Sequence, residues 1–82
     1  MKVAPNANIV LRSLRIGKGW SQVELAKRMG FKTPQHLANI EYGTNRFTLE
    51  IAFLAASALK VDASVFLYDN VKQYVEKERV TE

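Results

Sequence analysis

The chain contains no cysteine and a single histidine, His36. The first absence excludes disulfides, thiolate metal sites and a cysteine nucleophile. With one imidazole, a histidine-rich metal centre is excluded too, and neither a metal nor any other cofactor is expected. Apolar residues form no run approaching the ~20 needed to span a bilayer. No signal-peptide pattern precedes the first helix, so the expected location is the cytoplasm. Internal repeats, low-complexity tracts and useful strand-like alternation are all missing, which leaves an all-α chain. Glycine is limited to four residues, and Gly17-Lys18-Gly19 ends a helix rather than forming a phosphate-cradling loop. No two carboxylates form a convincing pair in a pocket. No catalytic residue is therefore assigned, and the chain is expected not to be an enzyme.

What is present points to one small, globular domain. The 82 residues leave no room for a second core, and 48% of them are apolar. The net charge of +4 is unevenly spread. Residues 1–32 carry seven bases and one acid, whereas residues 33–82 carry five bases and seven acids. A one-sided positive field suits a polyanion, although solvated helix faces would give the same count.

Local signals divide the chain into helices. Val10, Leu11 and Leu14 recur at helical spacing, predicting a first helix from about Asn6 to Lys18 that Gly17 and Gly19 terminate. Ser21 and Glu24 form a capping box for a second helix, which starts at about Gln22, turns Leu25, Ala26 and Met29 inward, and stops at Gly30. Thr33-Pro34 opens a third helix, which buries Leu37 and Ile40 and ends at Gly43. Thr48 caps a fourth, from about Leu49 to Leu59. This helix has no charge from Ile51 onward, so it is expected to pack on two sides. Asp62 can cap a short fifth helix from Ala63 to about Tyr68, and Asp69 or Asn70 a last, amphipathic one to about Arg79. The predicted architecture is a compact all-α bundle of five or six helices. It divides into an arm (1–8), a main helical domain (9–68) and a C-terminal segment (69–82) for dimerisation or core capping.

Ser21 to Gly43 has the organisation of a helix-turn-helix, whose second helix enters the DNA major groove. Advancing about 100° per residue, Leu37 and Ile40 face the core. Gln35, Ala38, Asn39 and Tyr42 then lie on the opposite face, with His36 on the flank. Gln and Asn can pair bidentately with adenine, and an alanine can lie against a thymine methyl. The base-reading candidates are Gln35, His36, Ala38 and Asn39. The phosphate-contact candidates are Gln22, Lys32, Thr33, Tyr42, Thr44, Asn45 and Arg46, near helix ends and in the following loop. The alternative for the outer face is an ordinary solvated helix.

From Leu11 to Leu67 the sequence resembles the Cro/C1-type helix-turn-helix family, also called xenobiotic-response-element-like regulators. The resemblance rests on Leu14-Arg15, Ser21-Gln22, Glu24-Leu25-Ala26, Gly30, Ile40-Glu41 with Gly43, Leu49, and Ala58-Leu59 with Val61. It implies a five-helix domain of the lambda-repressor-like type, acting as a homodimer on a two-fold operator. It also implies that Gln22 touches a phosphate, that the face of Gln35, His36 and Asn39 reads bases, and that Glu41 pairs with Arg15. Three departures stand out. Gly30 to Glu41 is one residue longer than the commonest spacing, so the turn should bulge. Phe47 replaces a common proline. Ile51 and Leu54 are apolar where polar residues are frequent.

The apolar residues Ile51, Leu54, Phe66, Leu67, Val71, Tyr74 and Val75 form the candidate dimer interface, or close the monomer's own core. Small size and the added C-terminal segment are similar to controller proteins of restriction–modification systems. Phage repressors and antitoxins share the module. The expected function is transcriptional regulation through double-stranded DNA, by repression or by contact with RNA polymerase. The alternative is a protein-interaction module, such as a toxin-neutralising antitoxin. No membrane partner is expected.

Overall fold

A computed structural model describes residues 2–68. Four α-helices follow one another: α1 (Ala7–Gly17), α2 (Gln22–Met29), α3 (Pro34–Glu41) and α4 (Leu49–Leu59). A 3₁₀ turn, Ala63–Phe66, completes the order. Among the described residues there is no strand beyond an isolated antiparallel bridge between Val3 and Leu67.

Side chains adjacent in sequence set the helix starts. The Ser21 hydroxyl accepts from the Glu24 amide at 3.1 Å, and that of Thr33 from the His36 amide at 3.4 Å. Thr48 accepts from the Ile51 amide at 3.2 Å. Each cap satisfies an amide that has no partner inside its helix. Glu24 also pairs one turn onward with Arg28, Nε to Oε2 at 2.7 Å. Gly30 ends α2 with φ of 82°, and the Phe31 amide then donates to the Ala26 carbonyl at 2.9 Å. At the end of α4 the left-handed position is filled by Lys60, φ 58°, at a steric cost glycine would not carry. Removing the α4 cap with Thr48→Ala is expected to cost about 1 kcal/mol. Thr48→Ser should retain most of that, as read from urea midpoints.

The fully buried side chains Leu11, Leu25, Leu37, Ile40, Leu59 and Phe66 come from all five elements. Ala52, Ala55 and Ala56 give α4 a smooth inner face on which the other helices close. Phe47 packs beside Phe66 with ring centroids 5.4 Å apart. The residue standing in place of a common proline is thus an aromatic that seals the core.

The described residues bear on three expectations. The fifth helix is a single 3₁₀ turn, because Leu67 leaves helical geometry to bridge Val3. Phe66 (0% exposed) and Leu67 (8%) belong to the monomer's core, not to a free dimer surface. Helix α4 packs on one side only within the described residues, leaving Phe53 51% and Leu54 39% exposed. Ile51 is half-buried against the core. The expected last helix, with Val71, Tyr74 and Val75, lies outside the described residues.

Candidate functional site

Helix α3 is held in place from its C-terminal end. Glu41 is buried there, and among the described residues it is the one buried charged side chain. Arg15 of α1 meets it as a fork, Nε to Oε2 at 2.7 Å and Nη2 to Oε1 at 3.1 Å. The same guanidinium donates through Nη1 to the Trp20 carbonyl at 2.8 Å. Gln22 Nε2 of α2 adds a third bond to the carboxylate, 3.1 Å to Oε1. Asn8 of α1 donates to the Glu41 carbonyl at 3.1 Å. One carboxylate thereby joins α1, α2 and α3, and the pairing of Glu41 with Arg15 expected from the resemblance is present. Charge-assisted bonds of this kind are the strong ones, and they fix orientation because the fork is planar.

With its inner face fixed, α3 turns a short polar surface outward. Gln35 and His36 are exposed and Asn39 is half-buried. Gln35 Nε2 donates to Asn39 Oδ1 at 2.9 Å, a pair one helical turn apart. This bond leaves the carbonyl oxygen of Gln35 as an acceptor and the amide nitrogen of Asn39 as a donor. The His36 ring stacks on Phe31, centroids 4.2 Å apart and planes 27° from parallel. Phe31 also packs against the core, so the longer turn is filled by an aromatic that supports the start of α3.

Ala38 is the least exposed of the four base-reading candidates. It is 6% exposed and faces the N-terminal turn of α2 across a depression. The helical wheel placed it correctly around the axis, but the axis alone does not say what stands opposite. With Ser21, Gln22, Val23, Pro34 and Gln35 it lines a shallow depression of about 390 Å³. Val23, 54% exposed, is a residue the sequence reading missed. Its signal was available, since it falls off the inner stripe of Leu25, Ala26 and Met29.

The candidate phosphate contacts surround this surface. Lys32 and Thr33 are exposed before α3, and Tyr42 is 67% exposed at its end. Thr44, Asn45 and Arg46 are exposed in the loop that follows. The loop is tied back to the helix by the Asn45 amide, which donates to the Asn39 carbonyl at 3.0 Å. Gln22 differs from the others because its side chain is already bonded to Glu41. A terminal amide nitrogen carries two hydrogens, so one remains for a second acceptor.

Residues 11–66 match the model of a helix-turn-helix family. A solved structure, that of a hypothetical transcription factor, NHTF, from Neisseria, is similar to the chain with a TM-score of 0.68 and 27% identity. The likeness covers 84% of this chain and 79% of that one. No curated protein matches.

Proposed function

Because the chain belongs to the Cro/C1-type helix-turn-helix regulators, we propose that it binds a two-fold DNA operator as a homodimer, with α3 in the major groove of each half-site. Regulation of transcription through DNA is the business of the family. The observation that carries the finer reading is the Gln35–Asn39 pair. Adenine presents N6 as a donor and N7 as an acceptor in the major groove. The remaining acceptor of Gln35 and donor of Asn39 would complement that pattern while the bond between them is kept. His36 stands beside them to meet a neighbouring base.

Gln22 would use its second amide hydrogen on a phosphate while Glu41 holds it in position. Lys32, Thr33, Tyr42, Thr44, Asn45 and Arg46 would grip the sugar–phosphate backbone on either side and set the register. Dimerisation would use Leu54 and the adjacent Phe53 on the open side of α4 with Ile51 at its edge, together with Val71, Tyr74 and Val75. Occlusion of RNA polymerase at such an operator gives repression.

Selection of bound duplexes from a random pool at near-physiological salt tests this reading. A pseudo-palindrome with half-sites about one helical turn apart is the expected product. On that operator Gln35→Ala or Asn39→Ala should each cost about 1–3 kcal/mol and relax preference at one base position. Arg46→Ala should weaken selected and random duplexes alike. Equal losses on both duplexes for Asn39→Ala would contradict its base-reading role. The exposed Phe53 and Leu54 favour a second reading, in which α4 docks a protein such as a toxin and DNA binding is secondary. A selection that yields no motif would favour it.

A further inference from the structure

The segment before α1 is not a loose tail at residues 2–4. The Ala4 amide donates to the Phe66 carbonyl and the Tyr68 amide to the Lys2 carbonyl, both at 2.8 Å. These bonds flank the Val3–Leu67 bridge and lock a short antiparallel clasp onto the core. Ala4 is itself buried. The clasp brings Lys2 to the edge of an open cleft of about 620 Å³, whose other bank is Arg46 to Leu49. A second hollow, about 240 Å³, shares Ala4, Pro5, Arg46 and Phe47 with the first and continues to Gly43 and Asn45. The two form one furrow from the clasp to the C-terminal end of α3. No carboxylate lines either part, while Lys2 and Arg46 line the first.

We infer that this furrow is a second tract for the DNA backbone, in which Lys2 joins Arg46 in contacting phosphates. The inference rests on the DNA-binding reading above and extends it to the arm, which that reading leaves idle. A strand of duplex DNA carries one negative charge about every 3.4 Å along the axis, so a furrow continuing past α3 meets further phosphates of the strand gripped there. Lysine suits this role as a point charge on a long stem, whereas the guanidinium of Arg46 supplies a planar fork. The clasp matters because an ordered backbone removes much of the entropy cost of fixing a charge at the end of a flexible arm.

The test measures anisotropy of the selected operator and of a random duplex with the full chain, from 50 to 200 mM KCl. Lys2→Ala should weaken both duplexes alike and lower the magnitude of the salt slope by about one. Its deficit against the unaltered chain should therefore shrink on the order of threefold across that range. Lys2→Arg should restore the slope. Lys2 is exposed and meets the clasp through its backbone carbonyl, so its thermal midpoint should not move. An unchanged slope for Lys2→Ala, with selective binding by the unaltered chain, overturns the furrow and leaves the DNA reading standing. If the unaltered chain shows neither selectivity nor salt dependence, both readings fall.

Discussion

Arg15→Ala is expected to lower the unfolding free energy by about 3–5 kcal/mol, the scale for breaking a buried ion pair from one side. The Glu41 side chain is fully buried and that of Arg15 is 11% exposed, so solvent screens the pair little. Removing the guanidinium strands the carboxylate with only Gln22, and the Trp20 carbonyl loses its donor as well. Single cores of this size rarely supply more than about 3–5 kcal/mol, so the variant should be largely unfolded at 25 °C. Far-UV circular dichroism against urea would show it. Arg15→Lys should fall between the two, since it keeps a charge but not the fork. The double variant Arg15→Met with Glu41→Leu should recover part of the stability, because apolar replacement of both partners removes the stranded charge. If Arg15→Ala costs less than 1 kcal/mol, the carboxylate is not the anchor of α3.

Phe66→Ala should be comparably severe, about 3–5 kcal/mol, and the loss should not depend on protein concentration. The ring is fully buried within one chain and packs against Phe47. Its removal opens a cavity that the alanine-rich face of α4 cannot collapse into, because that helix is already in close contact. The concentration criterion separates the two roles the sequence allowed. A dimer-interface residue would change the midpoint more at one protein concentration than at another, through mass action. A monomer-core residue shifts the midpoint by the same amount from nanomolar to micromolar chain. Leu54→Ala, on the open side of α4, should behave in the opposite way if that face joins two copies. A strong concentration dependence for Phe66→Ala would move the ring back to the interface.

The helix starts at Gln22, Pro34 and Leu49 were legible because their causes are local. Ser21, Thr33 and Thr48 act on amides three residues away, a distance that sequence spacing measures directly. The outer positions of Gln35 and Asn39 followed from helical period, and the turn from Gly30. The Arg15–Glu41 pair came from family resemblance, since no periodicity links residues so far apart in sequence. The burial of Ala38 and the choice between core and interface for Phe66 were open in the sequence for a common reason. An apolar residue on a helix or at its end has a direction, but its cover is supplied by another element. Ala38 faces the start of α2 across a shared depression, and Phe66 packs against Phe47 within the core.

By itself, then, the sequence determined the helical class, the caps, the order of elements and the polar outer face of α3. All of these depend on interactions within about one helical turn. Only the tertiary structure decided that Gln22 is tethered to Glu41, that Ala38 is buried, that Phe66 and Leu67 close the monomer, and that the arm is clasped to Leu67. Those outcomes depend on which surfaces meet, and the energy of a buried contact belongs to both surfaces at once.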